Sequence, residues 1–203
     1  MKAPTFPDRA FAEALGAALA AALEEPEAET ALGHLTGLAR EMLGDHAAAT
    51  RPGALKDGER DYRVAGVFAV TPDRRYNMLV ANRGFPPEQR RLAIPLGWNH
   101  PGEVARTGRP ILLEDTDRHR SFRQFLKTSR MGSSVYFPIV LAEGQVAQIV
   151  AAAQARGTYG PADLARLGAL AGAAGVVWQA KGLSDWLCRD YPAPDLWRAE
   201  DRR

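Results

Sequence analysis

IPLGWNHPGEVARTGRPILLED, residues 94–115, joins two apolar runs through a Pro-Gly step that follows a tryptophan, an asparagine and a histidine. Pro101 suits the first position of a helix, and Glu103 the third, where a carboxylate can cap the first turn. Gly108 and Pro110 stop it. The spacing therefore predicts a short helix over 101–107, between a strand at 91–96 (RLAIPL) and another at 109–115 (RPILLED). His100 precedes a proline, which disfavours a helical backbone, so it is expected just outside.

Upstream, RVAGVFAV (63–70) and YNMLVAN (76–82) read as strands joined by TPDRR, with Tyr76, Met78 and Val80 on one face. Downstream, SSVYFPIVL (133–141) and QVAQIVAAAQA (145–155) form a second hairpin about an Ala-Glu-Gly turn. Pro138 cannot donate a ladder hydrogen bond, so an edge or a bulge is expected there. Between the hairpins, SFRQFLKTSRM (121–131) has helical spacing that places Arg123, Lys127 and Arg130 on one face.

Helices account for the ends. Phe11, Leu15, Ala18, Leu19, Ala22 and Leu23 make one apolar stripe on an alanine-rich helix stopped by Pro26. A second helix fits 28–49, and a long closing helix runs from Pro161 with Leu164, Leu167, Ala171, Ala174 and Trp178 on its stripe. The expected organisation is an N-terminal helical extension at 1–27, one domain at 28–182 and a loosely ordered tail at 183–203. Its class is α+β: an antiparallel sheet with helices on its faces, flanked by the N-terminal and the long C-terminal helix.

The 203 residues suffice for one domain with a real core, and 46% hydrophobic with 25% charged residues is a soluble globular composition. No apolar run has the length to span a membrane, and Asp8 and Glu13 interrupt the basic flank that a signal peptide would need before 14–23. The single cysteine, Cys188, excludes an internal disulfide and fits a reducing cytoplasm. A net charge of +2 gives no nucleic-acid footprint. His34, His46, His100 and His119 lack metal-ligand spacing, so no metal and no cofactor are expected.

IPLGWNHPGEVARTGRPILLEDTD followed by SSVYFPIVLAEGQVAQIVAAAQARGTYGPADLARLGALA resembles the GAF domain, the small-molecule-binding module of signalling proteins. The likeness spans about 28–180. Many members carry a second glycine just before the one equivalent to Gly102; Asn99 and His100 stand there instead. The resemblance implies that this loop and helix wall a ligand pocket. It also includes a branch that reduces free methionine sulfoxide with pocket cysteines, a chemistry for which the lone Cys188 offers no nucleophile and resolving pair. No enzymatic activity is expected.

The candidate ligand-binding residues are Trp98, Asn99 and His100, then Asp115, Phe122 and Phe125, then Ser134 and Tyr136, which alternation points to one side of their strand. If arginines near Phe122 and Phe125 turn inward, the ligand is anionic. Two readings stay open. One is a stand-alone sensor that binds a small cytoplasmic molecule, forms a homodimer through its helices and acts on a separate signalling output protein. The other is an interaction module with a vestigial pocket, dimerising through the stripes at 11–23 and 164–178.

Overall fold

The computed structural model of the chain describes residues 9–128 and 130–201, with Asn99 given by its backbone alone. The first eight residues of the expected extension, Ser129 in the expected helix over 121–131 and the last two residues of the expected tail lie outside it.

Seven strands form one sheet: β1 (Arg63–Val70), β2 (Tyr76–Arg83), β3 (Arg91–Pro95), β4 (Ile111–Leu113), β5 (Ser133–Leu141), β6 (Gly144–Ala153) and β7 (Leu196–Arg198). Their order across the sheet is β4-β5-β6-β1-β2-β3-β7. All neighbours are antiparallel except β7, which runs parallel to β3, so the sheet is mixed rather than purely antiparallel. β1 is buried at every position because it lies inside the sheet with both faces covered. Alternation sends Ala65, Val67 and Ala69 into one core and Val64 and Phe68 into the other.

Pro138 sits where its missing N–H costs nothing. β4 pairs only with Ser134 to Tyr136, so the rest of β5 is an edge, and the register slips between Ile139 and Val140.

The larger core lies under α1 (Arg9–Glu24), α2 (Ala28–Met42), α4 (Pro161–Ala180) and α5 (Leu183–Asp190). Phe11 and Ala22 of α1 are buried, and Leu15 and Leu19 pack beside them. α4 buries Leu167, Leu170, Ala174, Val177 and Trp178. α2 ends at Met42, seven residues before the expected stop at 49. Gly44 turns the chain in the left-handed region at φ 82°, and its N–H donates to Asp163 Oδ1 at 2.7 Å. A β-carbon there would stand 2.7 Å from Thr158 Cγ2.

The opposite face carries α3 (Asn99–Thr107) and the segment 114–131. α3 begins two residues earlier than expected, with Trp98 as its N-cap, so His100 is helical despite the proline that follows. Packing overrides the local preference: the Gly102 N–H donates to the Trp98 carbonyl at 3.1 Å, and a β-carbon on Gly102 would lie 2.1 Å from the Leu96 carbonyl oxygen. Gly108 closes the helix at φ 64°. Glu103 is exposed and makes no cap bond, contrary to expectation.

Residues 121–128, 130 and 131 are not helical. Side chains replace the helical ladder: Gln124 accepts from the Met131 N–H at 3.0 Å and donates to the Leu126 carbonyl at 3.2 Å. The tail is also more ordered than expected. It forms α5 and β7, and Ala199 is buried in the second core.

Candidate ligand-binding site

Between the sheet and the cover of α3 and residues 114–131 lies a second, aromatic-rich core. β1 supplies Val64 and Phe68, β3 supplies Leu92 and Ile94, and β5 and β6 supply Tyr136 and Val150; the covering segment supplies Phe122, Phe125, Leu126 and Met131. These side chains leave a cavity of about 60 Å³. A water takes roughly 30 Å³ of liquid, and pockets for drug-sized ligands run to about 300–1,000 Å³, so in this form the pocket, partly open to solvent, is too small for such a ligand.

Three of the expected residues, Phe122, Phe125 and Tyr136, line this cavity, and Trp98 and His100 pack against them from outside its lining. The Trp98 indole stacks on Phe125 with centroids 6.2 Å apart and planes 17° from parallel. The His100 ring lies 6.1 Å from Phe122, 6.5 Å from Tyr136 and, edge-on, 5.8 Å from His119. Burial favours neutral forms in this place: it lowers the pKa of His100 from its ordinary 6.5 and raises that of the Tyr136 phenol.

The other three are placed differently. Asp115 belongs to the cover but does not line the cavity; its carboxylate accepts from the Asp117 N–H at 3.0 Å and pairs with Arg118 at 3.2 Å, which caps the turn over 116–118. Ser134 is fully buried on the Tyr136 side of β5 but does not line the cavity. The Asn99 side chain lies outside the described residues.

The arginines do not form the expected stripe. Arg123 is exposed at the cavity's rim, its guanidinium 4.8 Å from the Trp98 ring centroid, while Arg130 covers Phe122 at 4.6 Å and donates to the Thr116 carbonyl at 2.7 Å. Among the described residues, Arg123 is the only charged one that lines the cavity.

Sequence reasoning missed the polar supports. Asn77 of β2 and Gln148 of β6 are fully buried, and both donate amide hydrogens to the Pro101 carbonyl, at 3.2 and 3.0 Å, fixing the first turn of α3 to the sheet. Asn77 Oδ1, Gln148 Oε1 and His100 Nδ1 are buried with no hydrogen-bond partner among the described residues. Groups of this kind are usually satisfied, so the face under α3 has unused polar capacity. An amide inside an otherwise apolar strand was the available signal. Gln89, also fully buried, holds the covering segment: its Nε2 donates to the Phe125 carbonyl and its Oε1 accepts from the Lys127 N–H, both at 2.7 Å. Among the described residues, no group of three or more His, Cys, Asp or Glu side chains could hold a metal ion, and no helix is long and apolar enough to cross a membrane.

Helices on one face of the sheet, with a short helix and a loop over an aromatic cavity on the other, define a GAF-like α+β domain. The chain belongs to the GAF domain family, which it matches over residues 54–179. No curated protein sequence matches it. Solved structures with this fold include the GAF domain of an Acinetobacter phosphoenolpyruvate-protein phosphotransferase, at 12% identity and TM-score 0.66, covering 92% of this chain and 97% of that one. The free methionine-R-sulfoxide reductase of Neisseria meningitidis, solved with its substrate, aligns at 17% identity and TM-score 0.67 over 89% of this chain and 96% of its own. The GAF domain of a phosphoenolpyruvate-protein phosphotransferase from Coxiella burnetii aligns at 17% and 0.64 over 85% and 96%. At these identities the likeness is one of fold alone.

Proposed function

We propose that the chain is a non-enzymatic cytoplasmic sensor that takes a small molecule into the aromatic cavity under α3. The ligand has an apolar body and one anionic group. The carrying observation is the composition of the wall among the described residues: aromatic and aliphatic side chains apart from Gln124, with Arg123 alone bringing charge, at the rim. A guanidinium held over an indole is placed to meet a carboxylate or phosphate at the mouth while the body lies inside. At about 60 Å³ the cavity has to widen to take such a molecule, and the cover at Phe122 to Leu126, which lines it, is placed to move. Cys188 is exposed on α5, so it is not among the residues that line this cavity, and the non-enzymatic reading rests on that.

Native and denaturing mass spectra of the purified protein test the reading. The expected result is a reproducible added mass that denaturation removes and that falls at least tenfold in occupancy in Trp98→Ala and Arg123→Glu. A bare subunit mass, together with no thermal shift from small apolar acids, overturns it.

One surface favours the interaction reading as well. Val140 and Val176, 57% and 48% exposed, line one groove of about 510 Å³ between α4 and the free edge of β5. We propose that a homodimer uses this groove rather than Leu15 and Leu19, which are packed within the domain.

A further inference from the structure

The geometry points to a mechanical coupling between the cover of the cavity and the C-terminal strand, through the tripeptide Gln89-Arg90-Arg91. As regulation of the proposed site, this rests on the sensor reading; as a coupling, it is a property of the ligand-free chain.

Three neighbouring side chains grip three separate parts of the molecule. Gln89 holds the cover through the backbone of Phe125 and Lys127. Arg90 donates to Asp195, immediately before β7, at 3.2 Å and to Glu29 of α2 at 2.9 Å. Arg91, 8% exposed, also pairs with Glu29, lies 3.6 Å from Asp195 and stacks on Trp186 of α5 at 5.6 Å. Arg91 is at the same time the first residue of β3 and the ladder partner of Leu196.

A second link closes the circuit. The Lys127 ammonium lies 5.6 Å from the ring of Trp197, so the cover touches β7 directly as well as through the tripeptide. β7 is three residues long and occupies the outer edge of the sheet, so few ladder bonds hold it and its side chains decide whether it stays. Lifting the cover frees Gln89 and removes Lys127 from Trp197; the strand next to both loses part of its support. Ligand entry is thereby converted into release of the C-terminal segment and exposure of the β3 edge, with no long-range rearrangement of the sheet.

Hydrogen exchange on the full ligand-free chain tests this. Gln89→Ala is expected to speed exchange at least tenfold in 121–128 and at least threefold in 196–198. Asp195→Asn, a mild change at an exposed side chain, should speed exchange in 196–198 and at least threefold in 121–128. The double variant should show less than the product of the two effects. β1 and β6 should stay at their wild-type rates. Acceleration confined to the mutated segment, simple multiplication of the two effects, or an equal rise in β1 and β6 overturns the coupling. None of these outcomes depends on a ligand, so a failed sensor reading and a failed coupling are separately visible.

Discussion

His100 illustrates how much one side chain's surroundings decide. Its ring is held among Phe122, Tyr136 and His119, with Nδ1 buried and without a partner among the described residues, and burial makes protonation unfavourable. Above pH 6.5 the imidazole is neutral in folded and unfolded chains alike and contributes no pH dependence. Below it the unfolded chain takes up a proton that the folded chain resists, so stability falls as pH drops, by at most about 1.4 kcal/mol per pH unit. Denaturant titrations between pH 7 and 5 should show this slope in the wild type and lose it in His100→Phe. Asp73 and Asp117, whose carboxyls are held below their ordinary 3.8 by hydrogen bonds and neighbouring cations against the effect of burial, contribute only in a separate window below about pH 4. Trp98, His100, Phe122, Phe125 and Tyr136 were legible because aromatic residues beside a Pro-Gly helix start or on one strand face have few uses other than core or ligand. Gln89, Asn77 and Gln148 were not. A lone amide does not name its partner, which lies 24 to 47 residues away for all three.

At the scale of elements, periodicity found every long strand and the long helices, since β1, β2, β5 and β6 pair along most of their length with neighbouring strands and α4 satisfies its own backbone, so each keeps a regular pattern. It failed on 121–131, where the spacing of Phe122, Phe125 and Leu126 is set by what the sheet presents rather than by a helix stripe, and where Gln89 and Gln124 take over the backbone's hydrogen bonds. It also missed β7, a strand too short to show alternation. Helix ends depended on single residues. Asp163, nearly buried, accepts from the Gly160 N–H at 2.9 Å and from the Gly44 N–H at 2.7 Å, so one carboxylate caps α4 and fixes the turn after α2. Asp163→Ala should lower stability by about 1–3 kcal/mol, measured as a shift in the urea midpoint at unchanged slope, because two donors lose their acceptor together.

For the whole molecule, the two faces of the sheet divide the work. The helical face carries the larger aliphatic core, and the opposite face carries the aromatic cavity, so a change at the cavity leaves the main source of stability in place. The proposed dimer groove sits on the far side of α4 from Leu167 and Val177, and Val176→Glu places a charge there without entering the core. Light scattering at micromolar concentration should give a dimer for the wild type and a monomer for Val176→Glu; a wild-type monomer would remove the interface. The fold class followed from sequence because alternating and helical patterns alternate along the chain in one order. Strand order and the parallel pairing of β7 did not, because they depend on contacts between distant segments.

The roughly 60 Å³ left in the cavity also sets a kinetic rule. A site too small at rest for its ligand fills no faster than its cover moves aside, so the observed rate of association levels off as concentration rises instead of climbing in proportion. Once inside, the same cover delays departure. Such a receptor averages over brief swings in concentration and answers to what persists.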